Sequence, residues 1–254
     1  RDFTLSKEGQ PALARPEGGA FLAFLLLDAP AWDPEQFRRD LRDLYGIPCL
    51  TEAEEDESGG STLTFERDGM LAAVSLYPFP VPRGEAEEAA ARHQGHLLVT
   101  VLPREQDPRE AAVLQVELVC AACRQSGALG VYANGTVYEP AFYLNWACPM
   151  EDGQLPLPDL VWVGLYRRES GLCGYTDGLR SFGKDEIEVL DTQAEPGDLH
   201  SFLLDLAGYA LGGDVTLHDG ETIGYTEDQD LPVTRSAGVW HSGMTLKIPY
   251  PEEP

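Results

Sequence analysis

The spacing of apolar and polar residues changes several times along this chain, and each change marks an element. Ala20–Leu27 (AFLAFLLL) is a continuous apolar run of strand length, the pattern of a central strand covered on both faces. Asp33-Pro34-Glu35-Gln36 then opens a helix. Asp33 supplies the cap, Pro34 suits the first helical position, and Gln36 stands where a capping-box partner belongs. Phe37, Leu41, Leu44 and Tyr45 share one face of that helix, and Gly46 ends it. Thr62–Glu66 and Met70–Tyr77 read as a hairpin around Arg67-Asp68-Gly69, because an Asp-Gly step suits the positive φ of a tight turn. Glu85–His93 has the alanine and glutamate content of a short helix, and Leu97–Leu102 is a strand. Asp107-Pro108-Arg109-Glu110 repeats the cap logic and launches Ala111–Gln125, a helix apolar nearly all round and therefore buried. Ala128–Ala133 is a further strand, ended by an Asn134-Gly135 turn.

The pattern then loses its period. Pro140–Pro158 carries Phe142, Tyr143, Trp146 and Met150 among prolines, reads as irregular, and is where a boundary between two halves is expected. Beyond it, Leu160–Tyr166, Leu172–Thr176 and Glu186–Leu190 are strands. Asp198 caps a helix whose Leu199, Phe202, Leu203, Leu206 and Ala210 form one apolar face, ended by Gly212-Gly213. Asp214–Leu217 and Thr222–Tyr225 suggest a hairpin, and Val239–Trp240 with Met244–Ile248 supply the last strand material. Helices interspersed with hairpins predict an α+β fold: mixed, largely antiparallel sheets with helices packed on them, in two similar-sized halves. The expected organisation is a flexible lead-in over 1–19, an N-terminal half over 20–150, a C-terminal half over 151–250 and a proline-acid tail over 251–254.

Charge sharpens the picture. The 254 residues include 43 acidic and 18 basic side chains, a formal net charge of -25. Such a surface repels nucleic acid and anionic membrane, and favours a basic protein partner or cations. Ala20–Leu27, the longest apolar run, is too short to span a bilayer and follows a polar leader rather than the basic start of a signal peptide. Five cysteines in no disulfide-dense pattern fit a reducing compartment, so a cytoplasmic setting is expected.

Candidate chemistry is sparse. His93 and His96 with Cys120 and Cys123 offer a Cys2His2 set, but the two cysteines lie in an apolar helix, where cysteine acts as a small hydrophobe. Cys148 and Cys173 are the less buried-looking thiols, with His200, His218 and His241 as bases elsewhere, and nothing in the spacing pairs them. No phosphate-binding glycine motif is present, and Lys184 lacks the spacing of a P-loop lysine. We therefore expect no catalytic residues, cofactor or metal. Asp214, Asp219, Glu221, Glu227, Asp228 and Asp230 form an acidic cluster without the spacing of an EF-hand loop: a solvated turn, or a docking surface for a basic partner. Phe142, Tyr143 and Trp146 are interface anchors or packing between the halves. The residues expected to bind a partner are Phe142, Tyr143, Trp146, Glu227, Asp228 and Asp230. The competing class is a cation-dependent hydrolase built around His218, Asp219 and Glu221; a structural or regulatory module is the third.

Within Gly174–Gly224, Asp177-Gly178, Phe182-Gly183-Lys184 with Glu186 and Glu188, the helix around Leu203–Tyr209, and Asp219-Gly220-Glu221-Thr222-Ile223-Gly224 occur in an order that resembles the DUF4261 family. Met244–Ile248 resembles its closing strand. The resemblance covers the C-terminal third and implies a bacterial, mostly cytoplasmic protein of unassigned activity. By analogy with other acidic α+β families, it implies an immunity-type role, neutralising a basic toxin or effector by binding it. Ile187 and Val189 are expected to face the core, which turns Glu186 and Glu188 toward solvent.

Overall fold

A computed structural model describes residues 3–7, 19–81 and 91–251. The chain forms two compact units, one of residues 19–160 and one combining residues 1–18 with 161–254. The fold is α+β, with three mostly antiparallel sheets among the described residues. A first strand, β1 (Thr4–Lys7), belongs to the second of these units.

The unit of residues 19–160 runs β2 (Phe21–Leu27), α1 (Pro34–Tyr45), β3 (Glu54–Glu55), β4 (Ser61–Arg67), β5 (Met70–Tyr77), β6 (Gly95–Leu102), α2 (Pro108–Ala122), β7 (Ala128–Ala133), β8 (Thr136–Tyr138), α3 (Pro140–Trp146) and α4 (Leu157–Leu160). Its seven strands lie in the order β3-β4-β5-β6-β2-β7-β8, every pair antiparallel. The apolar run of β2 is central, as its composition requires. α1 begins as its sequence dictates: the Asp33 side chain accepts the Gln36 amide at 3.0 Å, and Gly46 ends the helix at φ 65°. The capping box is not closed by Gln36, whose side chain turns to Asp40 and the Arg124 carbonyl; Gln125 Oε1 takes the Asp33 amide instead. Leu44, expected on the apolar face, is exposed. α2 is buried along most of its length, packs on β2 and β6, and donates from Gln115 Nε2 to the Val99 carbonyl.

In the unit of residues 1–18 and 161–254, β9 (Trp162–Arg168), β10 (Gly171–Asp177), β11 (Ile187–Thr192), α5 (Pro196–Gly212), β12 (Thr222–Thr226), β13 (Gln229–Pro232), β14 (Thr234–Ala237) and β15 (Met244–Lys247) follow in order. The five-stranded sheet has the order β14-β15-β11-β10-β9, antiparallel except for the parallel β11–β15 pair. α5 covers one face of it, over β9 and β10, where Gly174 lies beneath Leu199 and Leu203. A three-stranded sheet, β1-β12-β13, completes the unit.

Several sequence expectations give way. Residues 3–7 are not a loose lead-in: Thr4–Lys7 pairs with β12, and Phe3 is buried against Phe202, Tyr209 and Tyr225. Residues 8–18, 82–90 and 252–254, which include most of the expected Glu85–His93 helix and the tail, lie outside the described residues. Pro140–Pro158 is largely helical, because Phe142 with Trp146 and Tyr143 with Ala147 stand one turn apart behind a proline suited to a first turn. α5 starts at Pro196, so Asp198 sits inside its first turn rather than capping it. Residues 214–217 form no strand, and β12 makes its hairpin with β13 instead.

One buried acid stands out in the unit of residues 19–160. Asp159 is 3% exposed, and neither of its oxygens has a hydrogen-bond partner among the described residues. Burial pushes its carboxyl up to about 8. The folded chain then keeps a proton that the unfolded chain releases near pH 4, so the group lowers stability progressively as pH rises from about 4 to about 8. Asp159→Asn is expected to raise the melting temperature at pH 8 by a few degrees and to leave it nearly unchanged at pH 4, measured by thermal denaturation across that range.

Candidate functional site

The face of the five-stranded sheet turned away from α5 carries a connected set of buried polar contacts. Alternation sets it up. Gly174 faces the helix, so Cys173, Tyr175 and Asp177 face the other way, with their cross-strand neighbours Tyr166, Gly164 and Trp162. Register places Glu188 beside Tyr175 on one side and Lys247 on the other. Alternation alone would leave Glu188 in solvent. It is 0% exposed, because residues 238–243 fold back over this face. The expectation that Glu186 and Glu188 point to solvent is therefore corrected for both, since Glu186 is only 1% exposed.

Each of these carboxylates holds a loop. Glu188 Oε2 accepts the Val239 amide at 2.9 Å, and its Oε1 accepts the Trp240 and His241 amides, each at 3.1 Å. Lys247 Nζ stands 3.8 Å from the same carboxylate and bonds Ser236, Ala237 and Thr245. The loop is closed by the Gly238 amide donating to the Gly243 carbonyl at 2.6 Å. It closes so tightly that a Cβ on Gly238 would lie 2.1 Å from the His241 carbonyl oxygen. Glu186 does the same for residues 177–183. Its Oε1 accepts the Gly178 and Arg180 amides, and its Oε2 accepts the Thr176 hydroxyl. Burial pushes Glu186 up to about 7 against those three donors. Arg180 in turn reaches the Ser242 and Met244 carbonyls, tying the two loops together.

On this frame sits an aromatic shelf. Gly164 opposes Tyr175, and without a side chain there the Tyr175 ring lies across β9; a Cβ would meet its Cζ at 2.1 Å. Trp240 stacks on Tyr175 with centroids 4.4 Å apart and planes at 11°, and touches Tyr166 at 5.0 Å. Trp240 remains 52% exposed. A loop pinned by three amide bonds thus holds a tryptophan with one face buried against tyrosine and the other toward solvent. His241 lies edge-on to Tyr175 and donates from Nε2 to the Thr176 carbonyl at 2.6 Å. Asp177 follows on the same face; burial raises its carboxyl above the usual range, opposed in part by the nearby His241 and Arg180.

The other residues singled out in the sequence fall into three groups. Tyr143 is buried, which corrects its reading as a surface anchor; Phe142 is exposed and stacks on half-buried Trp146 at 5.9 Å. The acidic cluster divides. Glu227, Asp228 and Asp230 are exposed at the β12–β13 turn. Asp214 pairs with buried Lys184 at 3.1 Å, Asp219 accepts the Arg235 amide, and buried Glu221 accepts both the His218 amide and its Nδ1. The proposed catalytic trio of His218, Asp219 and Glu221 is thereby engaged in holding its own turn. His93 accepts the Val81 amide and His96 bonds the Phe79 carbonyl. His96 stacks with Tyr77 on the sheet face opposite α2, which carries Cys120 and is capped by Cys123, so the sheet separates His96 from the two cysteines. Burial pushes the Cys120 thiol up to about 12. Cys148 is exposed, but Cys173 is fully buried, contrary to expectation. Among the described residues, no three His, Cys, Asp or Glu side chains are grouped to hold a metal ion.

Comparison with known families places this site inside a recognised region. The family profile DUF4261, described as a domain of unknown function, matches residues 175–249, within the C-terminal third. That span holds Tyr175, Asp177, Glu186, Glu188 and the Trp240 loop. No curated protein and no solved structure matches the chain.

Removal of the Glu188 acceptor tests the frame. Glu188→Ala leaves three amides and Lys247 without their carboxylate, and is expected to cost about 2–4 kcal/mol. Equilibrium denaturation should show that loss. Tryptophan emission of the folded variant should shift to the red as Trp240 leaves Tyr175, and unchanged emission would contradict the clamp.

Proposed function

We propose that this chain is a non-enzymatic binding module for a protein partner with a basic surface, of the kind by which a bacterial, cytoplasmic immunity protein masks a toxin or effector. The observation that carries this reading is Trp240: a large, half-exposed indole held flat on Tyr175 by a clamped loop. A rigid aromatic loses little conformational freedom on docking, and such residues dominate interface energies. The exposed face of an indole suits an arginine or lysine side chain, whose cation is attracted to the ring.

Two further features support a binder. The buried acids of the matched region, Asp185, Glu186, Glu188 and Glu221, are committed to Arg235, to backbone amides and to His218. They stabilise the scaffold that presents the surface. The chain as a whole carries a formal net charge of -25, which accelerates encounter with a basic partner. In the same unit as Trp240, the exposed Glu227, Asp228 and Asp230 supply acidic surface for such a partner; Phe142 with Trp146 is a separate candidate contact in the unit of residues 19–160.

Affinity capture with the tagged chain from its native lysate tests the proposal. One basic protein should be retained at low salt and weakened at about 0.5 M salt, where surface charge is screened. Trp240→Ala should weaken that partner at least about tenfold, and charge reversal at Asp228 and Asp230 should lower its association rate. Retention indifferent to salt and to Trp240→Ala would overturn the reading.

A further inference from the structure

A trans peptide unit points its N–H and its carbonyl oxygen in opposite directions. The amides of Val239, Trp240 and His241 all donate to Glu188, on the sheet side of their loop. The carbonyl oxygens of Gly238, Val239 and Trp240 share those peptide units and are therefore turned away from the carboxylate, to the outer side of the loop. They accept no hydrogen bond among the described residues. The two cations flanking the loop are committed to carbonyls on either side of these: Lys247 Nζ donates to Ala237 at 3.0 Å, and Arg180 Nη2 to Ser242 at 2.9 Å and Met244 at 3.4 Å. Val239 and Trp240 are exposed, and with one ring face on Tyr175 the Trp240 indole has its other face open beside the outward oxygens.

We infer that this loop takes an arginine side chain of the partner, its guanidinium stacked on the open face of Trp240 and its N–H groups donating to the outward carbonyls. The inference rests on the binding role proposed above and names the group that role recognises. Charge excludes an anion, because the ring face and the three oxygens are all electronegative and the matching amides point inward. An apolar side chain would cover the ring but leave buried carbonyls unpaired, which costs more than the contact returns. Between the two cations, shape decides. Guanidinium is planar, weakly hydrated and carries a fork of N–H donors, so it lies on an indole and reaches acceptors at its edge together. The lysine ammonium is a compact, strongly hydrated point charge and meets one or the other. The acceptors are set before the ligand arrives, since the Gly238 amide closes the loop on the Gly243 carbonyl and Glu188 fixes its peptide planes.

NMR titration of the full chain tests this with two blocked amino acids of equal charge, N-acetyl-arginine amide and N-acetyl-lysine amide, at about 0.05 M salt. The arginine compound should shift the Trp240 indole resonance and the amides of residues 238–243 saturably, with a dissociation constant at least about fivefold below that of the lysine compound. Gly238→Ala keeps the indole but sets a Cβ 2.1 Å from the His241 carbonyl oxygen, so the loop must open, and arginine should fall to the level of lysine. Trp240→Ala should remove the loop shifts with both compounds. Amide resonances outside the loop confirm that each variant is folded. Equal affinities for the two compounds, or an arginine preference that survives both substitutions, would overturn the inference. Equal affinities sink this inference without touching salt-dependent capture of a basic partner. An arginine preference in a chain that captures no such partner sustains the inference and sinks the proposed function instead.

Discussion

The carboxylate of Glu188 is the contact on which the described surface depends. It is fully buried, and burying a carboxylate is tolerable only when its charge is met by donors. Three consecutive amides from residues 239–241 and the nearby Lys247 ammonium meet it. The same bonds that satisfy the acid fix the backbone that carries Trp240. A loop with polar backbone over a sheet face would otherwise need water or further secondary structure to satisfy its amides. Glu186 repeats the device for residues 177–183, and Arg180 joins the two loops.

This arrangement changes the meaning of the acidic composition. Acids in the matched region belong to two populations. Asp185, Glu186, Glu188 and Glu221 are interior hydrogen-bond acceptors that shape turns. Glu227, Asp228 and Asp230 lie on the surface and contribute to the field felt by a partner. An interior acid is costly to leave unpaired, as Asp159 illustrates in the other unit, so positions of the first kind are under fold constraint.

Local signals in the sequence translated well. The Asp33 cap and Gly46 stop of α1, the apolar run of β2 and the Asp68-Gly69 hairpin depend on neighbours a few residues away, and all formed as expected. So did the α+β class and the resemblance of the C-terminal third, because ordered short motifs survive without knowledge of packing. The site was hidden for a physical reason. Glu188 reads as an outward-facing strand residue, and only a loop that returns some fifty residues later makes it interior. Tyr175 lies flat only because Gly164 stands opposite it, a fact of register rather than of either local pattern. A signal was nevertheless present: Gly238 and Gly243 bracket Val-Trp-His, an apolar and aromatic group inside a tight glycine-closed turn. Pro140–Pro158 failed in the other direction, since its prolines masked a helical i, i+4 spacing.

Native-state hydrogen exchange of individual backbone amides tests the clamp most directly. Residues 239–241 belong to an irregular loop, and amides in such loops ordinarily exchange close to the unprotected rate. Donated to buried Glu188, the Val239, Trp240 and His241 amides should instead exchange as slowly as those of the neighbouring strands β11 and β15. Exchange of all three at the rate of an open loop would show that Glu188 does not hold Trp240, and the surface described here would lose its foundation.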